Sequence, residues 1–381
     1  MITMTNPKDI LTDWKNYAKI SGKDDEENLP IQLGHSIVAD GYVKGKSNGV
    51  FSHFHSDHMK IKDIESATSY DKILFNKFTY KVAIALKPTL QQRMNIKPME
   101  YGQQHTTKFG EVITLYDADH ILGSSQIHVS VDNRKILYSG DFVFPSADTP
   151  KCDILVLDAS HGLPQYNTPT EKDSVLRTTL KEIKTHLETQ SIVISANRGS
   201  LQELMNYLDA GNDEDHISGD IPFLAKKDNI IIKNALYGAE SQVERQFMDY
   251  DTPEAYQIRK YGAPCIIFIN ELKSVEPEEQ TMYWIYVDRY NFSNDANISE
   301  HTSGHFFETN GEWKKDDNGN ELHKDILRIN LSGHTTYDGL LDYVGNNEPQ
   351  IILVDSSRGK NSVKLASDLT KIFSRPGISM P

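Results

Sequence analysis

Cysteine is nearly missing from this 381-residue chain, with only Cys152 and Cys265 present. Two thiols build neither a disulfide framework nor a cysteine-ligated zinc ribbon, so any metal must be held by histidine and carboxylate, and a reducing cytoplasm is the expected compartment. Long apolar runs are missing as well. No stretch reaches the ~18 residues that a membrane-spanning helix needs, and residues 1–10 lack the charged-then-apolar pattern of an export signal, so neither a membrane nor secretion is expected. Positive charge is not in excess: 40 Lys and Arg against 54 Asp and Glu give −14. That excludes a protein that coats nucleic acid through a global positive field, but not one that acts on it through a local site. Repeats and Pro/Ser-rich linkers are absent, and 23 Gly and 15 Pro are spread along the chain, which excludes collagen-like and low-complexity classes.

What is present is a folded domain composition, with 38% apolar residues and a length that predicts two to three domains of about 150 residues. Short β-branched runs bounded by turn residues predict strands over 112–116, 127–131, 135–138, 154–157, 192–195, 230–232, 265–269, 326–329 and 351–354. Helical spacing joins Leu176, Leu180, Ile183 and Leu187. It also joins Leu201, Leu204, Met205 and Leu208 behind Ser200, and Leu365, Leu369, Ile372 and Phe373. Segments 22–28, 211–220 and 310–321 read as surface loops. The first 160 residues are strand-rich and the next 170 alternate helix and strand, which predicts a layered α/β domain followed by a second α/β domain, with a boundary near 162–166.

The densest chemistry is Ser52-His53-Phe54-His55-Ser56-Asp57-His58, four candidate ligands within six residues just after Gly49-Val50-Phe51. In an extended segment His53 and His55 point the same way and reach one ion, while a turn at Asp57-His58 aims a carboxylate and an imidazole at a neighbouring ion. His120, in Asp117-Ala118-Asp119-His120-Ile121-Leu122-Gly123-Ser124, and Asp141, in Tyr138-Ser139-Gly140-Asp141-Phe142, each follow a predicted strand. Two cations ~3.5–4 Å apart require a bridging carboxylate to neutralise charge and fix their separation, and Asp141 is the candidate.

These pieces resemble the metallo-β-lactamase fold, whose HxHxDH motif is matched by His53, His55, Asp57 and His58. They also resemble its nucleic-acid-processing β-CASP branch. The matching segments are Asp-Ala-x-His-x-x-Gly-Ser at His120, Ser-Gly-Asp-Phe at Asp141, an acidic residue after the next strand at Asp158, and the late Ser332-Gly333-His334 followed by Asp338-Gly339-Leu340. The resemblance implies a four-layer αβ/βα metallo-β-lactamase domain with an inserted α/β β-CASP cap: residues 1–163 the first part, 164–330 the cap, and 331–381 the returning part. It implies two zinc ions, with manganese as the alternative: His53, His55 and His120 on the first, Asp57, His58 and His334 on the second, and Asp141 between them. Asp40 resembles the family's early aspartate, which supports the motif without binding metal. Asp57, Asp158 and His334 would serve catalysis, Asp158 by orienting His334 or a proton donor. Arg198 and Ser200, in Asn197-Arg198-Gly199-Ser200, resemble the cap's strand-to-helix turn and would take a backbone phosphate.

Two positions depart from the family. Ser160-His161-Gly162 stands where Thr-Tyr-Gly is usual, so His161 reads as a substituted supporting residue or a loop histidine, the latter favoured. The cap histidine thought to help protonate the leaving group has no match in context, with His301, His305 and His323 nearest. The expected function is a zinc-dependent nuclease, an exonuclease that uses a bridging hydroxide on RNA or, less favoured, on single-stranded DNA. The alternatives are a small-molecule hydrolase of thioesters or lactones, and a noncatalytic subunit of a nucleic-acid-processing complex.

Overall fold

The structure, a computed structural model, describes residues 13–20, 30–167, 172–210, 217, 220–238, 246–262, 264–270, 282–288, 299–305, 323–331, 333–355 and 361–380. The predicted loops 22–28 and 310–321 and most of 211–220 lie outside the described residues. The chain divides into two compact units, Met1–Asn167 with Gly333–Pro381, and Thr168–Ser332. The division falls a few residues C-terminal to the boundaries expected after 163 and 330.

The first unit opens with β1 (Ala18–Ile20), β2 (Ile31–Leu33), β3 (Ile37–Ala39), β4 (Asn48–Phe51), β5 (Lys72–Asn76) and β6 (Ile96–Met99), paired in that order. The helices α1 (Ile61–Ser66) and α2 (Lys77–Leu86) carry the chain between the parallel strands β4, β5 and β6. A second sheet begins as the antiparallel meander β7 (Gln104–Thr106), β8 (Val112–Asp117), β9 (Ser125–Val131) and β10 (Arg134–Tyr138). Parallel β11 (Ile154–Leu157) extends it.

The second unit follows with α3 (Lys172–Leu187), β12 (Ile192–Ala196), α4 (Ser200–Ala210), β13 (Phe223–Ala225), α5 (Lys227–Tyr237), β14 (Phe247–Asp249), α6 (Pro253–Tyr261), β15 (Ile266–Ile269), β16 (Tyr283–Asp288), β17 (Ser299–His305) and β18 (His323–Asn330). Its sheet order is β14-β13-β15-β12-β16-β18-β17. The chain then returns to the first unit with α7 (Tyr337–Asn347), β19 (Ile351–Asp355), α8 (Ser362–Phe373) and β20 (Gly377–Met380), and β19 and β20 complete the second sheet beyond β11.

The solid apolar runs of β11 and β19 have a physical reason. Ile154, Val156, Ile351 and Leu353 face the core between the two sheets, which also holds Ile31, Leu33, Val50, Ile113, Ile127 and Val129. Leu155, Leu157, Ile352 and Val354 face the opposite way, onto Leu340, Tyr343 and Val344 of α7 and Leu365 and Leu369 of α8. Parallel strands covered on both faces have no polar side to alternate with. The unit is therefore layered as the resemblance implied, helices outside two facing sheets.

Two expectations are corrected. The run 230–232 is not a strand but lies inside α5, where Asn229, Ile232, Lys233 and Leu236 are buried at helical spacing. Three consecutive apolar residues fit either periodicity, and packing decided for the helix. Ile372, joined by spacing to Leu365, Leu369 and Phe373, is 53% exposed, because the face of α8 that meets the core carries Leu365, Ala366 and Leu369, with Phe373 packed beside them. Among the described residues no helix is long and apolar enough to cross a membrane.

Candidate metal centre

Strand ends of the first unit supply the groups of the site, except His334. Asp40 follows β3, His53 to His58 follow β4, Asp141 follows β10 and Asp158 follows β11, all at the carboxyl ends of parallel strands, where α/β sheets open onto crevices. His120 follows β8, and His334 lies two residues into the returning segment.

The proton on each ring can be assigned from what its Nδ1 meets. His58 Nδ1 lies 2.8 Å from Asp40 Oδ2, and His334 Nδ1 lies 3.0 Å from Asp158 Oδ2. His120 Nδ1 contacts the Gly333 carbonyl. Carboxylates and carbonyls only accept, so each of these Nδ1 atoms carries the proton. Ser52 Oγ donates to Asp40 Oδ2 at 2.7 Å and so accepts from His53 Nδ1 at 3.0 Å. The neutral rings then turn their Nε2 lone pairs to Asp141: His53 at 3.7 Å, His58 at 3.3 Å, His120 at 3.6 Å and His334 at 3.8 Å. Lone pairs facing a carboxylate repel unless positive charge lies among them, and this pocket is buried.

That is the arrangement a cation fits. His53 Nε2 is buried without a hydrogen-bond partner. Ligand atoms of His53, His55, His120 and Asp141 lie within 4.8 Å of one another, as do those of Asp141, Asp158 and His334. Asp141 is common to both groups. His55 Nδ1 and His120 Nε2 are 3.2 Å apart, against roughly 3.3 Å for two nitrogens sharing a tetrahedral zinc. Burial holds the imidazoles of His53 and His120 well below their usual pKa, in the neutral form that binds metal. Burial works to raise the Asp141 pKa, and positive charge among the surrounding groups works to lower it, the net direction being well down; with the rings neutral, that positive charge is what a cation would supply.

The remaining expected residues are placed as follows. Asp40 is fully buried and accepts from Ser52 N, Ser52 Oγ, His58 and the Tyr138 hydroxyl at 2.7–2.9 Å. Asp57, 57% exposed, stands 3.8 Å from His58 Nε2 and outside both groups. Arg198 and Ser200 belong to the second unit, at the turn from β12 into α4. Burial lowers the Arg198 pKa there, and Asp228 opposes the shift. His301, His305 and His323 lie on the paired strands β17 and β18 of that unit. His161 lies in the loop after β11, but it is 5% exposed, and its Nδ1 reaches the Thr335 carbonyl at 3.1 Å. Local sequence showed only a turn there, because its partners arrive from the returning segment. Sequence reasoning also missed Asp355. Val354 pairs with Leu157, so buried Asp355 follows beside Asp158 at the same sheet edge. An apolar strand closed by an acid, 154–158 and again 351–355, was the available signal.

No family model matches the chain. It is 28% identical over 188 residues to an RNase J-like protein of Methanocaldococcus jannaschii, covering 42% of this chain and 44% of that protein. It is 25% identical over 176 residues to cleavage and polyadenylation specificity factor subunit 3 of Dictyostelium discoideum, covering 44% of this chain and 21% of that protein. Over these segments the chain is similar to nucleic-acid-processing members of the β-CASP branch of the metallo-β-lactamase fold, at modest identity. It matches less than half the length of either curated relative. A crystal structure of a protein of unknown function from Enterococcus faecalis resembles the fold with a TM-score of 0.55 at 10% identity, over 88% of this chain and 92% of that one. Gly333 is held close to the site: a Cβ there would come within 2.9 Å of the His120 ring, so glycine lets that carbonyl reach His120.

Proposed function

We propose that the chain is a metal-dependent nuclease that hydrolyses phosphodiester bonds, taking RNA in preference to single-stranded DNA and using two zinc ions. The observation that carries this reading is the convergence of four imidazole Nε2 atoms on the buried Asp141 carboxylate. His53, His55 and His120 would hold one ion and Asp57, His58 and His334 the other, with Asp141 serving both. Two divalent ions, when bound, bring the pKa of water to about 7 and neutralise charge developing on a phosphate oxygen.

The protein's own part is to fix protons and orientation. Asp40, Ser52, the Gly333 carbonyl and Asp158 each keep a proton on a histidine Nδ1, which leaves Nε2 as donor. Asp57, more than half exposed, is the carboxylate that can meet solvent or substrate. Asp158 orients His334, and Arg198 and Ser200 take a backbone phosphate. The similarity to an RNase J-like protein supports the preference for RNA. Exonucleolytic action in the cytoplasm completes the reading, to which two buried free cysteines conform.

Incubation with end-labelled single-stranded RNA and DNA of one sequence, with zinc or manganese, tests it. Faster loss of RNA from one end is expected, together with about two zinc ions per chain by elemental analysis. Cleavage of neither strand, or less than one equivalent of metal after zinc supplementation, would sink the proposal; faster DNA cleavage would reverse the substrate preference.

A further inference from the structure

We propose that His161 is a positioning residue for His334, latching the returning segment so that the His334 ring keeps its Nδ1 proton on Asp158 and its Nε2 toward Asp141. The chain leaves the first unit after Asn167 and comes back at Gly333, and residues 333–336 belong to no strand or helix. His334 is therefore held by lateral contacts. On one side Thr335 N donates to Phe142 O at 2.8 Å, and Thr335 Oγ1 accepts from Phe144 N. On the other, His161 donates to Thr335 O, Tyr337 N donates to Tyr166 O at 2.9 Å, and Asn167 and Asp338 exchange bonds at 2.6 and 2.9 Å.

His161 is the rung whose ring also lies against His334. Its ring centre is 5.5 Å from that of His334, and its other flank stacks on Tyr166 at 5.0 Å and 15°. Thr335 O only accepts, so His161 Nδ1 carries the proton. Ser160 N and Oγ hold Asp158 Oδ1 at 2.9 and 2.8 Å. Residues 158–161 thus grip both the acceptor of the His334 proton and the backbone one residue beyond His334. Losing the His161 bond frees the carbonyl next to His334 and loosens the Nδ1 to Asp158 bond, which depends on both ends staying in place.

The test uses metal-free full-length protein with 15N-labelled histidine and follows solvent exchange of the His334 Nδ1 proton. The His58 Nδ1 proton, held by Asp40, is the internal control. His161→Asn keeps a donor near the Nδ1 position without the ring, and His161→Phe keeps the ring without the donor. Exchange at His334 should stay within about twofold of wild type in His161→Asn and rise about tenfold in His161→Phe, with His58 unchanged in both. Should His161→Phe not fold, His161→Gln, whose amide sits one bond too far out, carries the same expectation. Unchanged exchange at His334 in the variant lacking the donor, equal effects in both variants, or equal changes at His58 would overturn the proposal. The consequence for catalysis rests on the nuclease reading: kcat should fall about tenfold in His161→Phe at constant KM and recover in His161→Asn. A wild-type chain that cleaves nothing would defeat the nuclease reading while the exchange measurement still decides the role of His161.

Discussion

Two buried Asp–His pairs face each other across Asp141, and they are built differently. Asp40 and His58 are 18 residues apart, and their carboxylate takes four donors, from the backbone and side chain of Ser52, from His58 and from Tyr138. Asp158 and His334 are 176 residues apart, and that carboxylate takes Ser160 N, Ser160 Oγ and one imidazole. The first pair lies at neighbouring strand ends of the opening sheet, Asp40 after β3 and His58 after β4. The second exists only once the chain has returned, and it relies on His161 and Thr335 to stay in register. The same chemical device is therefore intrinsic on one side of the centre and assembled on the other.

The largest effect should come from the group that both sides share. Asp141→Asn removes the carboxylate from all four imidazoles, and cleavage should drop by at least about a thousandfold with loss of both metal equivalents. Elemental analysis and labelled-RNA cleavage check this; retention of one full equivalent would show that the two sides bind independently.

Asp40→Asn against Asp158→Asn separates the pairs. In each, the asparagine oxygen must serve a backbone N–H, Ser52 N or Ser160 N, so its NH2 faces the histidine Nδ1. The ring must then move its proton to Nε2, the wrong nitrogen for a metal. Zinc affinity should fall about 10–100-fold in both. Stability should differ: about 2–3 kcal/mol lost at Asp40, where more buried donors lose an acceptor, and about 1 kcal/mol at Asp158. Urea unfolding of the metal-free proteins measures the difference, and equal losses would erase the distinction.

The smallest effect sharpens the same contrast. Tyr138→Phe removes one donor of four from Asp40 and should cost about 1 kcal/mol in the same unfolding assay, with zinc affinity within about twofold of wild type. A tenfold loss of affinity would mean that the Asp40 pair has no reserve and is no more robust than the other.

Much of this was legible in the sequence wherever the determinant was local. Ser52 to His58 read as ligands because four such groups sit within one strand end, and Asp141 because it follows a predicted strand, whereas Asp158 came only from the family resemblance, as a residue orienting His334. The runs 154–157 and 351–354 were readable as buried strands because residues covered on both faces leave no polar alternation. A three-residue run such as 230–232 held too little pattern to choose between strand and helix. Tertiary structure alone decided which strand ends meet, since the order β20-β19-β11-β10 sets Asp355 beside Asp158 and the returning segment sets His334 against both Asp158 and Asp141. It also decided which nitrogen of each ring carries the proton and why His161 is buried, because every one of those facts depends on a partner brought from a distant part of the chain, and periodicity says which residues lie inside, not which of them touch.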